Sequence, residues 1–284
     1  MADVESLWGE LDDLLIPLFQ RYRRNLRTLR VDTKPDHTLL SEADPAVQTA
    51  IAESVLRHYP GSRFVAEEDD ASLPTTGDPI WIIDPIDGTS EFVAGGRHEF
   101  CSVVCLLEGG TPIAAYVLAP ELGPDRTPIS IHWSAGAVTV DGRPATPLSA
   151  VDRPNRASVT RSGHLPPRPF EAELAAIGCD MKLRTTSQTL DMVRTCIDLT
   201  PWTNAPQHQF DLFYRRDQKL WDGAAGIGLA AAMGRSASNG SGASPYPFGD
   251  ELLNEAEPIL TETISGDPRC VRWFVDLLGE ARNR

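Results

Sequence analysis

The stretch "WIIDPIDGTSEF", residues 81–92, carries an apolar run begun at Ile80 straight into Asp84 and sets a second carboxylate, Asp87, three residues later. Asp, Pro and Gly are turn formers, so an ordinary turn accounts for Asp84-Pro85-Ile86-Asp87-Gly88 as a pattern. One point is left over. Asp84 ends a strand with no polar residue from Ile80 to Ile83, and a buried carboxylate is costly unless paired, protonated or bound to metal. A hard divalent cation such as Mg²⁺ relieves that cost, since it takes carboxylates, water and substrate phosphate as ligands. The Ile86 carbonyl can face inward, while Gly88 and Thr89 offer backbone N–H groups and a hydroxyl to a phosphate oxygen or an attacking water.

Working outward, 284 residues with 41% apolar content fill one large domain or two intimate ones and exclude disorder. Acidic residues outnumber basic ones by 40 to 26, for a net charge of −14, and no basic cluster marks a nucleic-acid surface. An acidic protein that binds a small anion needs a local positive source, which bound cations supply. The five cysteines include no Cys-x-x-Cys pair, which argues against structural zinc and a disulfide framework. Cys101 and Cys105, on one strand face roughly 13 Å apart, are expected as core thiols. Acidic residues where a signal peptide is basic, and no apolar run of spanning length, give the expectation of a cytoplasmic protein with no membrane partner.

Apolar spacing from Leu7 to Leu29 predicts a helix kinked at Pro17, and Asp44-Pro45 predicts the N-cap and first turn of a second helix. Strands follow at "IWII", "FCSVVCLL", "IAAYVLA", "ISIHW" and "AVTV". From about residue 157 strands and helices alternate: "ASVT", a helix over 168–177, "MKLRT", a helix over 187–199, "FDLFY" and a helix over 222–233, with a loop at 236–249 and a terminal helix at "CVRWFVDLL". The expected organisation is an N-terminal α+β domain over 1–150 carrying most of the acidic site and a C-terminal α/β domain over 151–284 carrying Asp222. Taken singly, Asp44 and Asp222 are helix N-caps and Glu67-Glu68-Asp69-Asp70 is a solvated loop.

Taken together, "AEEDD", "WIIDPIDGTSEF" and "LWDGAAG", in that order and spacing, resemble the three motifs of the inositol-monophosphatase-like, Mg²⁺-dependent, lithium-sensitive phosphatases. The resemblance implies the layered αβαβα sandwich of that superfamily, α+β and α/β in class. It implies Glu67, Glu68, Asp84, the Ile86 carbonyl, Asp87 and Asp222 as ligands for two or three Mg²⁺ ions, with inhibition by Li⁺. Asp44, Glu67 and Thr89 would be the catalytic group that activates water for direct attack on phosphorus. A homodimer is the expectation from similar proteins.

For the substrate, "TKPDHTLLSEAD" resembles the pattern of bisphosphate nucleotidases and histidinol-phosphate phosphatases better than that of inositol monophosphatases, and "GTSEF…EFCSVVCLLEGGTPIAAYVLAP" and "SVTRSGH" look most like the bacterial 3′(2′),5′-bisphosphate nucleotidases. That resemblance puts Arg161, His164 and Arg215 near a nucleotide, within a substrate set of Asp87, Gly88, Thr89, Ser90, His164, Ser187, Gln188, Asp191, Arg215 and Asp222. The chain departs where a Gly-Ser-Ser-x-Lys-like turn is expected, giving Ser187, Gln188, Thr189, Leu190 and Asp191. An anion in place of a phosphate-binding lysine disfavours a second phosphate. The sequence therefore supports a small-molecule phosphomonoesterase with nucleotidase as the leading activity. The rival is a phosphatase for a single-phosphate substrate: a nucleoside monophosphate, inositol monophosphate, histidinol phosphate or sugar phosphate. A non-catalytic metal- and phosphate-binding homologue is the reading from a different class.

Overall fold

The computed structural model describes residues 4–34, 38–68, 70–161, 165–203 and 209–282. The N-terminal helix α1 (Val4–Arg24) runs through Pro17 and is followed by a short antiparallel pair, β1 (Val31–Thr33) and β2 (Leu39–Ser41), and by α2 (Ala43–His58). A seven-stranded sheet comes next: β3 (Arg63–Ala66), β4 (Ile80–Asp87), β5 (Cys101–Glu108), β6 (Thr111–Ala119), β7 (Ile129–Ser134), β8 (Ala137–Val140) and β9 (Arg143–Pro144), in that spatial order. Only β3 and β4 pair in parallel; the other neighbours are antiparallel. The short helix α3 (Thr89–Val93) leaves the end of β4.

The continuous apolar run of β4 is explained by burial on both faces. Trp81 and Ile83 join Leu7, Trp8, Leu11, Val47 and Ile51 of α1 and α2 in one cluster. Ile80 and Ile82, on the alternate face, join a cluster with Leu190, Val193, Leu220, Ala224 and Ile227.

Those last residues belong to the second half, which contributes β10 (Arg156–Ser158), α4 (Pro169–Ala176), β11 (Asp180–Lys182), α5 (Gln188–Cys196), β12 (Leu212–Lys219), α6 (Leu220–Ala232), β13 (Ser236–Ser238), α7 (Asp250–Leu253), β14 (Ile259–Gly266) and α8 (Pro268–Arg282). Its five strands lie in the order β11-β10-β12-β14-β13. Helices α4 and α8 cover the outer face through Phe170, Leu174, Phe274 and Leu278. Helices α5 and α6 are shared between the two sheets, so the layers run αβαβα as expected. The helix α6 fits between sheets because its packed face is small: a Cβ at Gly228 would come within 2.3 Å of the Trp133 ring.

Several local expectations change. Asp44 lies inside the first turn of α2, and its carboxylate accepts from the Ser41 backbone N–H at 2.8 Å and the Ser41 hydroxyl at 2.6 Å. The N-cap is Glu42, whose side chain makes no cap bond, and the Ser41 hydroxyl before it accepts from the Ala43 N–H at 3.2 Å. The 236–249 loop includes β13, and β14, unread in the sequence, pairs with both β12 and β13. Strand β12 continues beyond "FDLFY" through polar residues as far as Lys219, because β14 supplies its backbone partners. The largest apolar cluster draws on residues from both sides of position 150. No helix among the described residues is long and apolar enough to cross a membrane.

Trp8 anchors α1 to the sheet: it is fully buried, stands edge-on to Trp81 at 6.0 Å, lies 5.7 Å from Tyr116 and donates its indole N–H to the Trp133 carbonyl at 3.3 Å. Trp8→Ala is expected to cost about 3–5 kcal/mol, seen as a lower denaturant midpoint with an unchanged slope.

Candidate active site

Alternation along a strand would send residues 84 and 87, an odd number apart, to opposite faces. Strand β4 avoids this with an irregularity. Asp84 pairs with Val103 and Asp87 with Cys101, so three steps on β4 oppose two on β5, the signature of a bulge. Both carboxylates then reach the α5/α6 side, where an oxygen of each and one of Asp222 all lie within 4.8 Å of one another. Gly88 takes the chain out of the strand at φ 95°, where an added Cβ would stand 3.0 Å from the Glu99 carbonyl oxygen. Asp222 comes from the first turn of α6, a position that favours a carboxylate.

The three acids differ in what holds them. Asp84 is 1% exposed, and neither of its carboxylate oxygens has a hydrogen-bond donor. Burial pushes its pKa well above the ordinary range, and the charges of Glu67, Asp87 and Asp222 push it further. Asp222 is raised in the same way by burial and by Asp87, and its carboxylate accepts from the Gln188 amide at 2.5 Å. Asp87 faces the start of α5. It accepts from the Thr189 N–H at 2.6 Å, the Gln188 N–H at 3.2 Å and the Ser187 hydroxyl at 2.8 Å. Burial still raises it, to about 6, against the pull of these donors.

A second acidic group stands beside this triad. Lys34 bridges Glu67 at 2.9 Å and Glu68 at 2.7 Å, and the Gln48 side chain clamps the Glu68 backbone by donating to its carbonyl at 2.8 Å and accepting from its N–H at 3.1 Å. The Thr89 hydroxyl lies 3.1 Å from the Ile86 carbonyl oxygen and 3.3 Å from the Asp44 carboxylate. Burial raises Asp44 to about 7, with Ser41 opposing and Glu67 and Glu68 adding to the rise. Hard oxygen donors gathered in a buried cluster, with Asp84 lacking any donor, fit a divalent cation such as Mg²⁺.

The residues singled out in the sequence thus fall into five groups, with Asp191, Arg161, Arg215 and His164 apart from them. Asp84, Asp87 and Asp222 come together, Glu67 and Glu68 meet on Lys34, and Asp44 meets Thr89 and the Ile86 carbonyl. Gly88 and the exposed Ser90 flank the start of α3, and Ser187 and Gln188 hold Asp87 and Asp222. Asp191 is 1% exposed and arrives with its own cations: Lys182 at 2.6 Å and Arg194 at 3.7 Å, while its other oxygen accepts from Ser158 at 2.7 Å. The like-charge objection to a second phosphate therefore loses its force at this position. Arg161 is engaged by Glu171 at 2.9 Å, Arg215 lies at the site's edge, and His164 lies outside the described residues. Sequence reasoning gave no role to Lys34, Ser41 or Gln48. Gln48 carried a signal, since it falls one turn after Asp44 on the buried face of α2.

Most of the chain is similar to known proteins. A protein-family model for the inositol monophosphatase family matches residues 13–266. A histidinol-phosphatase of Mycobacterium tuberculosis is 30% identical over 248 residues, covering 83% of this chain and 90% of that protein. The crystal structure of the extragenic suppressor protein SuhB of Bartonella henselae superposes with a TM-score of 0.73 at 18% identity, covering 97% of this chain and 98% of that one. An IMPase/NADP phosphatase solved with NADP and Ca²⁺ superposes with a TM-score of 0.74 at 17% identity, covering 96% and 94%. With its motifs, its layers and its acidic cluster all in agreement over nearly its full length, this chain belongs to the inositol monophosphatase family of phosphatases.

Proposed function

We propose that this protein is a Mg²⁺-dependent phosphomonoesterase that hydrolyses a small phosphorylated metabolite, most readily a nucleotide, by direct attack of water. The observation that carries the reading is the Asp84/Asp87/Asp222 cluster, whose buried oxygens lie within 4.8 Å of one another while Asp84 lacks any donor. Asp84, Asp87, Asp222, Glu67, Glu68 and the Ile86 carbonyl would hold two or three cations, which supply Lewis acidity at the phosphate and lower the pKa of a nucleophilic water. Li⁺ is expected to inhibit by competing for those oxygens.

The chain's own residues do the rest. The Thr89 hydroxyl has one proton and two acceptors, Asp44 and the Ile86 carbonyl, which leaves its lone pairs turned to a water. Asp44, raised to about 7 by burial, is suited to take up a proton passed through Thr89 near neutral pH. Backbone N–H groups at Gly88, Thr89 and Ser90 head a helix, where anions are favoured. The donors on Asp87 fix its carboxylate so that it does not rotate away from a cation. Lys34 balances Glu67 and Glu68 as charge moves through the site.

A second substrate reading rests on the 30% identity with the histidinol-phosphatase over most of both chains. Phosphate release from adenosine 3′,5′-bisphosphate, AMP, inositol 1-phosphate, histidinol phosphate and fructose 1,6-bisphosphate separates the two. Mg²⁺-dependent turnover of at least one is expected, and none at all would overturn the assignment.

Asp222→Asn and Asp84→Asn remove a buried charge from the cluster. Residues behind metal ligands already cost about 10–100-fold in activity or affinity, so these substitutions are expected to cost more. Without metal both carboxyls are pushed towards their neutral form, so an amide of the same size should leave the melting temperature in chelator no lower than that of the parent. A variant that keeps its activity at saturating Mg²⁺ would sink the ligand set.

The raised carboxylates also fix a pH dependence. Asp87 moves from 3.8 to about 6 on folding, so the folded state binds its proton more tightly. Its contribution to metal-free stability is present below 3.8 and lost as pH rises through about 6. Mg²⁺ takes the place of those protons. Its gain in melting temperature is therefore expected to be larger above pH 6 than below it, measured by thermal denaturation with and without chelator.

A further inference from the structure

Residues 14–31 hold five arginines and no acidic residue, in a chain where acidic residues outnumber basic ones by 40 to 26. Arg21, Arg24, Arg27 and Arg30 follow one another at three-residue intervals, and all four are exposed. None of the four makes an ion pair among the described residues. Basic residues in the last turn of a helix are ordinary, since they complement the helix dipole. That accounts for Arg21, Arg23 and Arg24 at the end of α1. It does not account for Arg27, in the single turn over Leu26–Thr28, or for Arg30 beyond it.

Arginines from distant parts of the chain converge on the same place. Arg23 donates to the Arg97 carbonyl at 2.8 Å and to Glu121 at 2.7 Å, and Arg126 reaches the same Glu121 at 3.3 Å. Arg97 and Arg184 in turn share Glu91, at 3.0 and 2.6 Å. Each of these two carboxylates is well covered and holds two arginines, so each group carries one positive charge in excess. Arg97, Arg126 and Arg184 keep half or more of their side chains in solvent. The acidic neighbours Asp32, Glu42 and Asp125 offset part of the excess, but eight arginines still face five carboxylates. The arc borders the acidic site. Glu91 lies one turn after Gly88, its N–H donating to the Gly88 carbonyl at 2.8 Å. Arg30 leads into the hairpin that ends at Lys34, which reaches Glu67 and Glu68.

We propose that Arg21, Arg24, Arg27 and Arg30, continued by Arg97 and Arg184, form a steering arc that draws small phosphorylated anions to the mouth of the site. These side chains make no fixed contact with the substrate and act through their field, since a charged patch beside a cleft raises the encounter rate of ligands of opposite sign. The rest of a protein of net charge −14 repels such an anion. Two or three Mg²⁺ ions roughly balance the five carboxylates proposed to hold them, so the loaded site attracts only at close range. The arc supplies attraction beyond that range, over a Debye length of about 10 Å at 0.1 M salt. This rests on the phosphatase reading of the site and adds to it the way the substrate arrives.

The test compares the full-length parent with a variant carrying Arg21→Gln, Arg24→Gln and Arg27→Gln together, and with the matching triple lysine variant. Association and dissociation rates come from stopped-flow fluorescence with a ribose-labelled AMP in Ca²⁺, and kcat and KM from phosphate release in Mg²⁺. At about 10 mM ionic strength, where the Debye length is about 30 Å, the glutamine variant should associate about tenfold more slowly, the lower end of what steering supplies. Its dissociation rate and kcat should match the parent's. The gap should close in about 1 M salt, where that length is about 3 Å, and the lysine variant should follow the parent throughout. If the glutamine variant does not fold, the parent decides alone. Steering makes added salt slow its association, whereas a field set by the net charge of −14 makes added salt speed it. An unchanged association rate in the glutamine variant, a loss of equal size at low and high salt, a parent that associates faster in salt, or no binding of the labelled AMP overturns the arc. Tight binding of a single-stranded RNA that the glutamine substitutions abolish, with the small-anion rates unchanged, assigns the surface to a polymer and overturns it likewise. Failure of the phosphatase reading would appear separately, as steered binding with no phosphate released from any of the phosphomonoesters named above.

Discussion

The mutual repulsion of carboxylates taken out of water is the constraint around which this molecule is arranged. Three of them are drawn within 4.8 Å, and each is brought there by a different device. A bulge turns Asp84 and Asp87 to the same side of β4, the donors at the start of α5 grip Asp87, and the first turn of α6 presents Asp222. None of these devices removes the repulsion. They hold it in place for cations to relieve, which is how a protein of net charge −14 can bind an anion at all.

The grip depends on how the two sheets are joined. Strand β4 belongs to the first sheet, whereas α5 and α6 lie between the two. Ion pairs tie the segments around the site together. Arg184 embraces Glu91 through both carboxylate oxygens, at 2.6 and 3.1 Å, and Glu99 receives Arg194, Lys182 and Thr186. Burial pushes Glu99 up, but Arg194 and Lys182 prevail and hold it at about 2. Its share of stability is therefore complete above its ordinary value of 4.5 and is lost only as pH falls towards 2. The join between the halves is thus charged over the pH range in which the triad itself titrates.

Much of this was legible in the residues, for physical reasons that differ from one element to the next. The unbroken apolarity of Ile80 to Ile83 marked a buried strand, and a carboxylate at its end marked an energetic debt that a cation settles. The layered order followed from the three motifs. What escaped were features made by partners distant in sequence. Strand β14 alternates weakly and is specified by β12 and β13, and the polar end of β12 is a strand only because β14 lies beside it. Asp191 looked like a bare anion until its neighbours Lys182 and Arg194 were in view.

The small residues of α6 acquire a further meaning in this light. Gly228 lets the helix lie against Trp133 where a methyl group would not fit, and six residues earlier, about 9 Å along the same helix axis, stands Asp222. Packing volume in the core therefore works as a spacer gauge for the acidic cluster. A helix pried outward at one end tilts its carboxylate at the other, so the reaction centre is tied to the interior of the protein.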